Sequence, residues 1–371
     1  MVLLFASLYF TRELHFSIAE AGLIMSCYGF GSVLGSYAGG WLTDRKNIFN
    51  IMVASLLMSG SILFLLLLTK SPILISLIIF LYAFTSDMFR PANSKAIAIY
   101  SRPENLTRSV SLVRLAVNLG FSVGPAIGGF IALYLGYKWL FVLDAFTSYA
   151  AAIMLYIYLP KKVENKTETD HTVLADSSTS AYRDWVYLAF IFLVACYGIC
   201  FFQLFASIPQ YFAKVCNYHE DVIGLLLALN GLIVVVIEMP LITRIGQRKQ
   251  TFPFIIAGTL CIPVALFILM EGQGMIIWAV IYTLMITLAE IFAMPFMMNF
   301  SISRPKKERQ GQYSALYSIS YGIANIAAPS LGLGIADKYG FNTMFWFFIV
   351  MSIFTAIGFR ILQKKSVRTL S

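Results

Sequence analysis

The sequence predicts an all-α polytopic membrane protein made of two pseudo-symmetric six-helix halves, the first helix incomplete. Three observations predict it. Hydrophobic residues are 59% of the 371-residue chain and charged residues 12%, about half the charged share of a soluble protein. Apolar runs of roughly 20 residues recur from end to end, each long enough to cross a ~30 Å hydrocarbon core as a helix. Short motifs of the first half also return in the second at a nearly constant offset. Spanning helices satisfy their own backbone groups, which excludes an open sheet.

The runs place spans near 19–41, 48–69, 72–100, 107–135 and 138–160, then 185–213, 221–243, 251–271, 273–301, 310–334 and 341–363. The segment 161–184 is rich in Lys, Glu, Thr, Ser and Asp and reads as a polar linker. The division is therefore 1–160, a six-helix half; 161–184, a cytoplasmic linker; and 185–371, a second half with a short cytoplasmic tail. Trp41, Trp139, Trp185 and Trp346 lie at span ends, as an aromatic belt requires. From Met1 to Thr11 a helix rises only ~16 Å. The reading therefore expects roughly 15–20 further span residues upstream, with a misassigned start codon preferred over a true truncation.

The net charge of +9 is distributed by topology. Basic clusters fall at every second boundary: Arg45 and Lys46, Arg102 and Arg108, Lys161 to Arg183, Arg244 to Lys249, Arg304 to Arg309, and Arg360 to Arg368. The intervening boundaries carry single cations at Arg12, Lys70, Lys138, Lys214 and Lys338. This positive-inside pattern puts the linker and the C-terminus in the cytoplasm and argues against a nucleic-acid partner. Cys196 and Cys200 share a helix face but have no His nearby, and His15, His171 and His219 lie outside the spans. No metal site is expected. No His-Glu-x-x-His and no Gly-rich phosphate loop is present, so an enzyme is not expected.

The internal repeat is specific. Tyr9-Phe10-Thr11-Arg12 matches Tyr211-Phe212-Ala213-Lys214, and Gly22-Leu23 matches Gly224-Leu225, at an offset of 202 residues. Ser101-Arg102-Pro103 matches Ser303-Arg304-Pro305 at the same offset. Asp87-Met88-Phe89 matches Glu290-Ile291-Phe292 at 203, and Gly124-Pro125 with Gly128 match Ala328-Pro329 with Gly332 at 204. Both copies have the same orientation, because the basic loops superpose too.

Two further motifs carry a resemblance. Gly40-Trp41-Leu42-Thr43-Asp44-Arg45 resembles the cytoplasmic loop signature of the major facilitator superfamily. The stretch from Gly120 through Gly124, Pro125 and Gly128 to Gly129 resembles the fifth-helix motif of its drug:proton antiporter branch. The resemblance implies a 6+6 bundle, alternating access, and export driven by a proton gradient without a cofactor. It gives Gly40, Asp44 and Arg45 the role of a latch between conformations. Two positions depart from it: Asn47-Ile48 follow Lys46 where basic residues are usual, and Ile99 stands where relatives often carry an acid. On physical grounds alone, glycines four apart permit close helix approach, and Pro125 removes a backbone donor.

Charges within spans need a reason, since each costs roughly 2.5–3.5 kcal/mol at the bilayer centre. Asp87 and Arg90 are one turn apart and can pair. Arg114 and Asn118 share a face of the fifth helix and are charge-partner candidates. Glu290 is the repeat's counterpart of Asp87 without the Arg, so with Asp87 and Asp144 it is a proton-coupling candidate. Lys95 reads as a snorkelling interface anchor. Arg90-Pro91 and Met294-Pro295 suggest matching kinks. Tyr317 and Tyr321, with Phe202 and Gln203, are candidates for an aromatic substrate cavity, although such stripes also serve packing.

The expected function is a proton-coupled secondary transporter exporting small organic molecules. A proton-coupled nutrient importer and a non-transporting sensor or scaffold of the same fold remain alternatives. The expected partners are the substrate, protons and the lipid bilayer, with the chain acting as a monomer in a bacterial inner membrane.

Overall fold

The structure, a computed structural model, describes residues 2–43, 45–100, 106–159, 181–238, 251–272, 274–304 and 310–368. Within these, the side chains at 2–4, 98, 106–111, 114–115, 302, 310–311 and 365–368 are not described. All described regular structure is helical. The first set comprises α1 (Val2–Leu8, extended by a π-turn Tyr9–Glu13), α2 (Ile18–Thr43), α3 (Ile48–Leu66), α4 (Pro72–Asp87), α5 (Phe89–Tyr100), α6 (Leu106–Tyr134) and α7 (Tyr137–Tyr158). The second comprises α8 (Trp185–Phe201), α9 (Gln203–Ala206), α10 (Ile208–Lys214) and α11 (Glu220–Ile233, then a π-turn Val234–Glu238). It continues with α12 (Phe252–Glu271), α13 (Ile276–Ser303), α14 (Gln310–Tyr339) and α15 (Phe341–Arg368).

Among the described residues, eleven helical stretches are long and apolar enough to cross a membrane, close to the spans expected from hydropathy. Large apolar side chains such as Ile73, Leu77, Phe146 and Ile157 are exposed on the outside of the bundle, as lipid-facing positions should be. Two spans are not single rods. The expected 72–100 helix breaks at Met88, two residues before the anticipated kink, and Pro91 falls in the first turn of α5, where no backbone donor is missed. Pro295 leaves no matching break, because α13 runs through it. The expected 185–213 helix is divided at Phe202 and Ser207, the second division just ahead of Pro209.

Helices α2 and α4 pack together, as do α3 and α7 in the first set and α12 and α13 in the second. The two sets meet along two seams, α2 on α14 and α6 on α11. One end of the bundle carries Arg12, Lys138 and Lys214. The other carries Arg45, Arg304 and Lys364.

At the Arg45 end, Asp184 fastens the second set. Its carboxylate caps α8 by accepting from the Tyr187 N–H (3.1 Å) and takes a two-point contact from Arg304 (2.7 and 2.8 Å). Tyr313 donates to it as well (3.0 Å), and Tyr187 in turn donates to the Tyr313 carbonyl (2.6 Å). Tyr313 therefore belongs to this clamp. Burial pushes the Asp184 carboxyl up, but the bonds from Arg304, the Tyr187 N–H and Tyr313 outweigh it and hold it below the usual aspartate range. A depressed value makes the clamp's contribution complete above the unfolded value of about 3.9, and lost as pH falls through the lowered folded value. Asp184→Asn keeps a cap acceptor and discards the ion pair. Thermal unfolding in detergent is expected to show a lower Tm for this variant at pH 7, with the gap closing as pH drops through the lowered value.

Candidate functional site

The seams are built from the repeat. A Cβ at Gly22 of α2 would lie 2.8 Å from the Pro329 carbonyl oxygen of α14, and one at Gly224 of α11 would lie 2.3 Å from the Pro125 carbonyl oxygen of α6. Gly22 and Gly224 are repeat mates, and so are Pro125 and Pro329. The next contacts obey the same exchange, with Gly29 against Ile326 and Gly231 against Ser122. Ser26 donates to the Ile326 carbonyl (2.7 Å) and Ser122 to the Ala228 carbonyl (3.2 Å), again at matching positions. Backbones this close tolerate no side chain between them.

The fifth-helix glycines are therefore not equivalent. A Cβ at Gly129 would meet the Glu220 carbonyl oxygen at 2.4 Å, and one at Gly128 would touch the Phe5 ring at 3.0 Å, whereas Gly120 faces open space. Gly124 is half-buried. The motif's packing role is carried by Pro125 and Gly129.

Towards the Arg12 end the seams are closed by polar contacts. Arg12, on the π-turn after α1, pairs with Glu220 at the start of α11 and donates to the Ala213 carbonyl (3.0 Å). Tyr137 of α7 donates to the same Glu220 oxygen. One turn deeper, Gln210 donates to the Ser7 carbonyl (2.7 Å) and to Thr11 Oγ1 (2.9 Å). The polar contacts that join the two sets run from Arg12 and Glu220 at this end to Ser26–Ile326 and Ser122–Ala228 along the seams. Sequence reading did not single out Glu220. The available signal was an acid and a base, Glu220 and Arg12, at span ends on the same sparsely basic side.

The two mid-span acids have different surroundings. Asp87 is buried at the end of α4 and pairs with Arg90 Nε at 2.7 Å, while the Arg90 side chain is 70% exposed. Among the described residues, its other oxygen is buried with no hydrogen bond. Glu290, midway along α13, accepts from Asn230 Nδ2 of α11 (3.2 Å), and the same amide donates to Thr287 Oγ1 (3.0 Å). Among the described residues no cation pairs with Glu290. Tyr197, Tyr321 and Glu238 are its nearest titratable neighbours among the described residues. Asn230 and Tyr28 are repeat mates, and Tyr28 stands in the field of Asp87 just as Asn230 bonds Glu290. The arrangement is shared, and the arginine is the first set's own addition.

The remaining candidates are distributed as follows. Tyr317 and Tyr321 are joined by a 3.3 Å hydroxyl contact, and the Phe202 ring meets Tyr321 edge-on at 6.0 Å, so these three side chains touch one another. Gln203 does not join them. It is fully buried, its amide donates to the Ile199 and Ala328 carbonyls (3.0 Å each) and its oxygen accepts from Ser207 (2.5 Å). With both ends of the amide used, it is a brace between α9 and α14. Asp144 is half-buried on α7 and near Tyr28 and Tyr82. Asn118 is half-buried on α6, and the Arg114 side chain falls outside the described ones. At the loop signature, Gly40 faces open space and the Arg45 guanidinium lies 3.9 Å from the centre of the Trp41 ring, while Asp44 lies outside the described residues. Lys95 is not a free snorkelling anchor, because its Nζ donates to the Thr43 carbonyl at 2.8 Å. Among the described residues, no group of His, Cys, Asp and Glu is placed to hold a metal.

A membrane bundle of two repeat-related helix sets, sealed between them at one end and holding acids at mid-span, defines an integral membrane transport fold. Residues 1–329 match the profile of the Major Facilitator Superfamily, and the chain belongs to that family. The chain is 22% identical over 369 residues to the uncharacterized MFS-type transporter YqjV of Bacillus subtilis, covering 95% of this chain and 86% of that one. It is 25% identical over 118 residues to a multi-drug resistance efflux pump PmrA homolog of Lactococcus lactis, covering 32% of this chain and 29% of that one. Its fold matches the crystal structure of a POT family transporter in complex with 5-aminolevulinic acid, with a TM-score of 0.80 at 15% identity over 98% of this chain and 92% of the other. It also matches a bacterial homolog of the human lysosomal transporter Spinster in an inward-facing conformation, with a TM-score of 0.81 at 13% identity over 99% of this chain and 93% of the other.

Proposed function

We propose that this secondary transporter is a proton-coupled exporter of small organic molecules, with Glu290 as the group that exchanges protons. The observation that carries the reading is the contrast between the two mid-span acids. Asp87 is balanced by Arg90, whereas among the described residues Glu290 is held by the neutral Asn230 amide with no cation beside it. A carboxyl held that way can be neutralised by a proton or by a cationic substrate without stranding a fixed partner. Phe202, Tyr317 and Tyr321 supply aromatic surface on the same helix set, suited to amphipathic or weakly cationic molecules. The positive-inside pattern supports a cytoplasmic Arg45 end and C-terminus, which would turn the polar closure at the Arg12 end outward. Energy comes from the proton gradient, with no cofactor, and one chain in a bacterial inner membrane forms the working unit. The partial similarity to multidrug pumps supports export.

The test is a panel of organic cations, zwitterions and peptides in proteoliposomes with an imposed pH gradient. Proton-driven extrusion of at least one compound is expected. Proton-driven accumulation decides for a nutrient importer, and no flux with any compound favours a sensor or scaffold.

A further inference from the structure

The carboxyl end of α2 is held by another helix. Three carbonyls of its last turn find donors. Gly39 accepts from the Thr43 hydroxyl, and Leu42 accepts from the Arg45 and Lys46 N–H groups at 3.0 and 2.7 Å. The Thr43 carbonyl accepts from Lys95 Nζ of α5 at 2.8 Å. The last carbonyls of a helix carry its negative partial charge, so an ammonium there adds electrostatic attraction to the hydrogen bond.

The contact depends on unusually close packing. A Cβ at Gly35 would fall 2.1 Å from the Phe84 carbonyl oxygen, and one at Gly39 would fall 2.6 Å from that of Met88 and 2.9 Å from Pro91 Cγ. The break at Met88 thus sits where α2 passes, and it sets the start of α5. Ala92 and Ala96, either side of Lys95, pack with Ile48, Ile51 and Met52 of α3 in an apolar cluster separate from the main core. Thr43 is 3% exposed, while Arg45 and Lys46 immediately beyond it are exposed.

We propose that Lys95 is a positioning residue that anchors the end of α2 and so holds the Gly40–Arg45 loop in the register the transport cycle needs. The transport half of this proposal rests on the reading above, and the anchoring half does not.

The loop offers its own probe, since trypsin cuts after Arg45 and Lys46. In the full-length protein in detergent, Lys95→Met is expected to raise the rate of cleavage at these sites about tenfold, the effect of losing one charge-assisted bond on local opening. In proteoliposomes the same variant is expected to lower transport turnover with KM unchanged. Lys95→Arg, which keeps a donor, is expected to restore both. Wild-type cleavage rates in Lys95→Met, or rates in Lys95→Arg as high as in Lys95→Met, overturn the anchor. Faster cleavage with unchanged turnover overturns the positioning role. Should the wild type itself show no pH-driven transport, the transport reading fails and the cleavage ratio still decides the anchor.

Discussion

Glu290→Gln is expected to abolish substrate extrusion driven by a pH gradient while leaving the protein folded in the membrane. Gln retains the volume and can still accept from Asn230 Nδ2, so the α11–α13 contact survives. What it removes is the ability to change charge. One proton exchanged for one substrate across a one-unit pH difference supports a substrate gradient of about tenfold. That gradient is expected to collapse to parity in Glu290→Gln, leaving only downhill exchange. Asp87→Asn should do less to coupling, since it frees an Arg90 that is already largely exposed, and its main cost falls on the α4–α5 junction. Flux assays on both variants, with and without a gradient, separate the two acids. Full gradient-driven extrusion by Glu290→Gln would remove it from the mechanism.

Gly224→Val is expected to hold the Arg12 end open. Its Cβ would lie 2.3 Å from the Pro125 carbonyl oxygen, a backbone atom that cannot rotate away. The clash exists only while α6 and α11 are together, so it penalises the sealed conformation alone. Overpacking of this kind costs about 1–3 kcal/mol, which changes the ratio of two conformations by about 5- to 150-fold. A cysteine placed at Ser122, on the same seam, is expected to react with a membrane-impermeant maleimide applied from the Arg12 side far faster in Gly224→Val. Gly120→Val is the control. It belongs to the same recognised motif but faces open space, and should leave the labelling rate unchanged. Equal labelling in the two variants would show that the seam does not gate this end. Arg12 and Glu220 add a charged contact to the same closure, and their loss should act in the same direction with smaller effect.

The features legible in the sequence were those written in local pattern. Each span announced itself by length and hydropathy, and the repeat was visible because Gly22 and Gly224, or Pro125 and Pro329, recur in register. The pairing of Asp87 with Arg90 was legible too, since residues one turn apart on a helix share a face. Asp184 was recoverable in part: an Asp directly before the apolar run from Trp185 is a helix-start signal. Its link to Arg304, 120 residues away, was not.

Other residues were misread for one common reason. Gln203 beside Phe202 looked like a polar group in a cavity, and Lys95 like an anchor reaching for water. In both cases the partner is a backbone carbonyl, of Ala328 and Thr43 respectively. Every residue carries a carbonyl, so such a partner leaves no mark in composition or spacing.

By itself the sequence determined the fold family, the spans, the internal repeat and the identity of the mid-span acids, because bilayer thickness and helix geometry act on contiguous residues. The tertiary structure alone decided which repeat elements meet, that the glycines of one half lie against the proline carbonyls of the other, and which end is sealed. It also set the Asn230 amide of one helix against the Glu290 carboxylate of another. Those properties depend on contacts between helices tens to hundreds of residues apart, and no local pattern encodes them.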